Sequence, residues 1–145
     1  MGRLGLPNGS TAYLDAAPII YSVEKNPYYG ILMTEIWENV EAGNIRVVTS
    51  ELSLLEVLVH PVRNKDHDLI HAYESLLTAS QMSLVPITTD VLRLAANIRA
   101  TQNFKTPDAI HAATASLAGC SHFVTNDPTF RRLDAAEVVV LRELL

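Results

Sequence analysis

Two hydrophobic rhythms alternate along this chain. Short apolar runs occur at 12–14, 45–48, 123–125 and 137–141, the last carrying Val138-Val139-Val140. Runs of this length, rich in β-branched and aromatic residues, predict strands. Between them lie longer segments with helical spacing, clearest in Val91, Leu94, Ala95 and Ile98. Strand alternating with helix predicts an α/β protein, a three-layer α/β/α sandwich around a mostly parallel sheet.

Punctuation residues sharpen the boundaries. Pro18 suits the first turn of a helix, where its missing N–H costs nothing, and Pro27 interrupts that helix. A second helix is expected over 28–42, burying Ile31, Ile36 and Val40 and ending at Gly43. Ser50 caps a third, expected to stop near His60-Pro61. A fourth covers 65–79, and 83–87 reads as a short strand or extended linker. Thr89 or Asp90 caps the amphipathic helix that follows. Thr106-Pro107-Asp108 opens a helix of small residues that ends at Gly119. Residues 1–10 read as a flexible lead-in and 11–145 as a single domain.

Composition narrows the function. The 145 residues are 48% hydrophobic and 19% charged, as in ordinary globular protein. A net charge of −5 is the wrong sign for broad coating of nucleic acid, which depends on Lys and Arg. The single cysteine, Cys120, excludes an intramolecular disulfide and a zinc cluster of several cysteines. A reducing cytosol, hence a cytoplasmic location, is the expectation. The Gly- and Pro-rich N-terminus is too short for a signal h-region, and no apolar run approaches the roughly 18 residues of a membrane span.

The candidate chemistry is acidic. Asp15, Glu56, Asp108 and Asp127 each fall where a strand ends or a helix begins. Ligands of open α/β sheets bind outside the carboxyl ends of the strands. Acids gathered there repel one another, and a hard divalent cation such as Mg²⁺ or Mn²⁺ relieves that repulsion. Singly, each acid has an ordinary reading. Asp15 suits a helix N-cap, Asp108 a first-turn acid favoured by the helix dipole, and Asp127 a turn residue. Glu56 lies in an apolar stripe with Leu52, Leu55 and Val59, so it is expected to be buried and to need a cation, hydrogen-bond donors or an arginine. The agreement of four junctions carries the metal reading.

Other groups carry less. His67 and His71 stand at i and i+4 without a third ligand nearby, so an exposed helix face explains them. His111, one turn after Asp108, reads equally as a packed residue or as a border of the site. Glu51 is accounted for by the helix dipole. A phosphate-binding glycine loop and a Gly-x-Ser-x-Gly elbow are both absent.

The ordered set Tyr13-Leu14-Asp15, Ser50…Glu56-Val57, Pro107-Asp108-Ala109-Ile110-His111-Ala112-Ala113 and Phe123-Val124-Thr125-Asn126-Asp127…Phe130 resembles the PIN domain family, and within it the VapC-type toxin ribonucleases. The likeness runs from about Ala12 to Leu141. It implies an α/β/α fold and Mg²⁺- or Mn²⁺-dependent cleavage of RNA, often by a homodimer held inactive by an antitoxin. Asp15, Glu56, Asp108 and Asp127 match the family's acidic positions, and Thr125 and Asn126 its neighbouring polar ones. Where many members carry Asn or Ser two positions after the first Asp, this chain has Ala17. Lys105, Arg131 and Arg132 are the cations placed in sequence to position substrate. Two other readings stay open. One is a catalytically silent PIN-like interaction protein, with Tyr28, Tyr29, Ile36 and Trp37 as its docking face. The other is a metal-dependent phosphatase acting on small phosphomonoesters.

Overall fold

The computed structural model describes residues 2–145. The chain begins with β1 (Thr11–Leu14), α1 (Ala16–Val23) and α2 (Gly30–Glu41), then β2 (Arg46–Ser50), α3 (Glu51–Arg63) and α4 (His67–Leu77). It continues through β3 (Met82–Val85), α5 (Thr89–Gln102), α6 (Thr106–Leu117) and β4 (His122–Thr125). A 3₁₀ turn (Pro128–Arg132), β5 (Glu137–Val140) and a last 3₁₀ turn (Leu141–Leu144) close it.

The five strands form one parallel sheet in the order β3-β2-β1-β4-β5. The path leaves β1 toward β2 and β3, then returns to place β4 on the other side of β1. That reversal opens a crevice at the carboxyl ends of β1 and β4. β1 and β4 are buried along their whole length, as strands covered by helices on both faces must be.

Two cores follow from the two-residue period of the strands. Ala12, Leu14, Val47 and Val124 face one side, against Ile19 of α1, Leu32, Met33 and Ile36 of α2, Val57 of α3, and Tyr73 and Leu77 of α4. Tyr13, Val48 and Phe123 face the other, against α5, α6 and Phe130. The sandwich expected from the alternation is therefore the observed architecture. Ala109, Ala112, Ala113 and Ala115 are buried, and their small side chains let α6 lie close to the sheet. Gly119 leaves α6 with φ +68°, a left-handed geometry that glycine adopts without penalty.

Several boundaries and faces differ from the sequence reading. α3 does not stop at His60-Pro61 but runs to Arg63. A proline inside a helix loses its N–H bond to the preceding turn and crowds the carbonyl four residues back, yet Pro61 is buried within α3, which continues for two residues beyond it. On α2 the buried side is Leu32, Met33 and Ile36, while Ile31 is exposed and Val40 only half-buried. Ile36 is therefore core and not part of a docking face. Trp37 is half-buried, its indole N–H donating to Ser22 Oγ at 2.9 Å, and Tyr29 stacks on Tyr21. The stretch before β1 has irregular backbone, with the Leu4 and Gly5 N–H groups bonded to the Glu35 carboxylate.

One aromatic layer supports the crevice from below. Phe123 stacks on Tyr13 with centroids 4.9 Å apart and lies 4.4 Å from Phe130. Truncating it opens a cavity in a close-packed core. Phe123→Ala is expected to cost about 3–5 kcal/mol in urea unfolding; a loss below about 1 kcal/mol would show that the layer relaxes freely.

Candidate active site

Asp15 follows β1 directly and is the backbone N-cap of α1, yet its carboxylate caps nothing. Oδ2 accepts a hydrogen bond from Thr125 Oγ1 at 2.6 Å, across the β1–β4 crevice. Oδ1 is buried and has no partner among the described residues. The N-cap explanation fails on this point, because a cap stabilises by satisfying a helix N–H. Burial pushes the Asp15 carboxyl up to about 6; the Thr125 hydroxyl and His111 pull it down, and Glu56 and Asp127 push it up again.

Thr125, the last residue of β4, joins two of the acids. Its Oγ1 donates to Asp15 and accepts the Asp127 N–H at 3.0 Å. Asp127 also serves the turn role that its sequence suggests: one carboxylate oxygen accepts the Thr129 N–H at 2.9 Å and starts the 3₁₀ turn. Asp108 stands half-buried in the first turn of α6. Its carboxyl is raised chiefly by burial and then by Asp127 and Glu56, while His111 and Lys105 lower it. Each of these acids thus lies within the electrostatic reach of others.

Glu56 differs from expectation in its surroundings. Leu55 and Val59 are exposed, and the buried side of α3 is Ser53, Val57 and Pro61, because the apolar residues flanking Glu56 face outward. Glu56 itself is 29% exposed, and its partner is neither arginine nor lysine. Oε1 receives the Nε2 of His111 at 2.6 Å, and His111 Nδ1 meets the Tyr13 hydroxyl, also at 2.6 Å. His111 and Tyr13 are buried. The Tyr13 hydroxyl is held far above its ordinary pKa by burial and then by Asp15, so it keeps its proton.

The remaining candidates are placed less directly. Asn126 is engaged on both ends of its side chain, donating to the Tyr21 hydroxyl at 3.0 Å and accepting the Arg142 N–H at 2.9 Å. Arg131 donates to the Val138 carbonyl and pairs with Glu143. Arg132 lies over Phe104 and donates to the Gln102 carbonyl at 3.3 Å. All three cations are exposed, but the two arginines have partners within the fold, whereas Lys105 has none among the described residues and its charge reaches Asp108. Arg142, which the sequence did not single out, donates from Nη2 to the Asn126 carbonyl at 2.6 Å and so braces the loop that carries Asp127. His67 and His71 are exposed on α4. A separate groove of about 510 Å³ between α5 and α6, lined by Leu92, Ala95, Arg99 and Ile110, contains none of the acids.

The donor set fits a hard divalent cation. It consists of carboxylate oxygens, one of them buried without a partner, in a field of like charge. It is not a closed cage: among the described residues no three His, Cys, Asp or Glu side chains converge closely enough to hold an ion. Magnesium retains several waters and takes only one or two carboxylates directly, so an open set suits it.

A model of the PIN domain matches residues 12–136, most of the chain and every acid of the site. The chain belongs to the PIN domain family. Among solved structures, this PIN domain resembles VapBC2 from Rickettsia felis bound to a fragment of promoter DNA. The TM-score is 0.72 at 15% identity, covering 89% of this chain and 97% of that one. It also resembles VapC20 of Mycobacterium tuberculosis, described as a sarcin-ricin loop cleaving toxin (TM-score 0.70, 14% identity, 85% and 95% covered). FitAcB from Neisseria gonorrhoeae aligns with a TM-score of 0.63 at 18% identity, over 88% and 95%. No curated protein sequence matches. At these identities the structural likeness speaks for the fold. In none of the helices among the described residues is there a stretch long and apolar enough to cross a membrane.

The raised Asp15 carboxyl has a consequence for stability. Between roughly pH 4 and 6 the folded chain keeps a proton that the unfolded chain has released, so this group's contribution falls as pH rises through that window and is level above it. Asparagine has no such proton. In EDTA, the stability of wild type minus that of Asp15→Asn is expected to drop by about 3 kcal/mol between pH 4 and 7, read from urea unfolding. A difference independent of pH would mean that Asp15 is not held in this environment.

Proposed function

We propose that this PIN domain is a divalent-metal-dependent endoribonuclease and the toxin of a toxin–antitoxin pair. The observation that carries the reading is the buried, unpartnered Asp15 Oδ1 at the switch point of the sheet, facing a field of other acids. A carboxylate oxygen placed there without a donor is costly unless a cation completes it. The resemblance to VapBC toxin–antitoxin proteins supports the toxin assignment and an antitoxin partner; a homodimer in the cytoplasm completes the proposal.

Asp15, Asp108 and Asp127 would hold Mg²⁺ or Mn²⁺ directly or through water, and Glu56 would join them or orient the attacking water. The bound ion supplies Lewis acidity, lowering the pKa of a water and neutralising charge on the scissile phosphate. The chain's own contribution is positional. Thr125 fixes one oxygen of Asp15, leaving the other for the ion. The first turn of α6 carries Asp108 to the same mouth, with Lys105 beside it as the available cation for a phosphate oxygen.

One observation favours a second reading, a PIN-like interaction protein without catalysis: the acids do not converge into a ready cage. A panel of structured and single-stranded RNAs incubated with Mn²⁺, Mg²⁺ or EDTA separates the two. The nuclease is expected to cut in either metal, to stop in EDTA, and to lose cleavage in a folded Asp108→Asn variant. Asp108→Asn cutting at the wild-type rate would remove Asp108 from the site. Turnover of a simple phosphomonoester in place of RNA would favour the phosphatase reading.

A further inference from the structure

The acids account for the metal-binding side of the crevice, but not for the hydrogen-bonded chain behind Glu56. Tyr13 on β1, His111 on α6 and Glu56 on α3 come from three elements far apart in sequence, yet they are joined by two contacts of 2.6 Å. Both inner members are buried. The Tyr13 hydroxyl has no other acceptor among the described residues, so its proton points to His111 Nδ1. Nδ1 then carries no hydrogen of its own, the ring's hydrogen sits on Nε2, and Nε2 donates to Glu56 Oε1. The chain has one direction, from phenol to imidazole to carboxylate.

Glu56 needs such a hold. It projects from an exposed part of α3 between outward-facing Leu55 and Val59, and no arginine or lysine pairs with it. A glutamate at such a position samples several rotamers. With Oε1 tied to His111, the carboxylate is fixed toward α6, and Oε2 accepts no hydrogen bond among the described residues. Its charge reaches both Asp15 and Asp108, so the fixed carboxylate belongs to the same field.

We propose that His111, held in its Nε2–H form by Tyr13, is a positioning residue that fixes Glu56 with Oε2 free for the ion or the attacking water. His111 touches neither metal nor substrate and acts through Glu56. The proposal rests on the nuclease reading for the use of Glu56, but the geometry of the chain is testable without it.

The first readout is the nitrogen-15 NMR spectrum of the imidazole at neutral pH without metal. Wild type is expected to show His111 protonated at Nε2 and bare at Nδ1, and Tyr13→Phe to show mixed tautomers. Protonation at Nδ1 alone in wild type would overturn the proposal. The second is Mn²⁺ titration by calorimetry, paired with RNA cleavage. His111→Leu is expected to lower Mn²⁺ affinity, kcat or both by roughly 10–100-fold with KM little changed, as loss of an outer-shell partner does. His111→Gln, whose amide can still donate to Glu56 and accept from Tyr13, is expected to recover most of that loss. This recovery separates positioning from simple packing, and it stands as the test if the leucine variant does not fold. Wild-type Mn²⁺ affinity and kcat in folded His111→Leu, or no recovery in folded His111→Gln, would overturn the proposal. If wild type neither binds Mn²⁺ nor cuts RNA, the nuclease reading fails and the proposed use of Glu56 fails with it. The tautomer result then decides the hydrogen-bonded chain alone.

Discussion

A buried carboxylate with one satisfied oxygen and one orphaned oxygen governs how this site is organised. Asp15 lies at the carboxyl end of the first strand, where the path of the chain reverses across the sheet. Placing it there costs free energy: burial alone lifts its carboxyl well above the ordinary range, and neighbouring acids add to the effect. Thr125 recovers part of that cost through a single short hydrogen bond. The remainder is an electrostatic demand for positive charge at Oδ1. A core built only for stability would fill this position with an apolar side chain.

The rest of the crevice is arranged around that demand. The aromatic layer of Tyr13, Phe123 and Phe130 supports the floor and places the Tyr13 hydroxyl under His111. The alanines of α6 let the helix sit close, so that Asp108 in its first turn and His111 one turn later both approach the sheet. Thr125 ties the strand end to Asp127, and Asn126 ties the same loop to Tyr21 and Arg142. Packing on both faces of the sheet therefore fixes the spacing of groups that repel one another, which is how preorganisation is maintained against their mutual charge.

The fold was legible because its signals are periodic and local. Strand–helix alternation, Pro18, Gly43, Ser50 and Gly119 locate the elements through capping and backbone preference, and Asp15, Asp108 and Asp127 do fall at their junctions, whereas Glu56, expected at one, lies in the second turn of α3. What the sequence hid depends on direction and distance. Leu52, Leu55 and Val59 look like a buried stripe around Glu56, but the neighbours that decide which side of α3 is buried come from α1 and α4. The Tyr13–His111–Glu56 chain spans 98 and 55 residues of sequence separation, with no local pattern to announce it. Arg131 and Arg132 follow Asp127 closely, yet their side chains reach Val138, Glu143 and Gln102, since proximity in sequence does not set side-chain direction.

A divalent cation that completes Asp15 Oδ1 can be located directly. The most direct measurement is an anomalous difference map from crystals of wild type soaked in Mn²⁺. A peak bonded to Asp15 and shared, directly or through water, with Asp108 or Asp127 is expected. A map with no peak at Asp15, or with manganese only at the exposed His67 and His71, would contradict it.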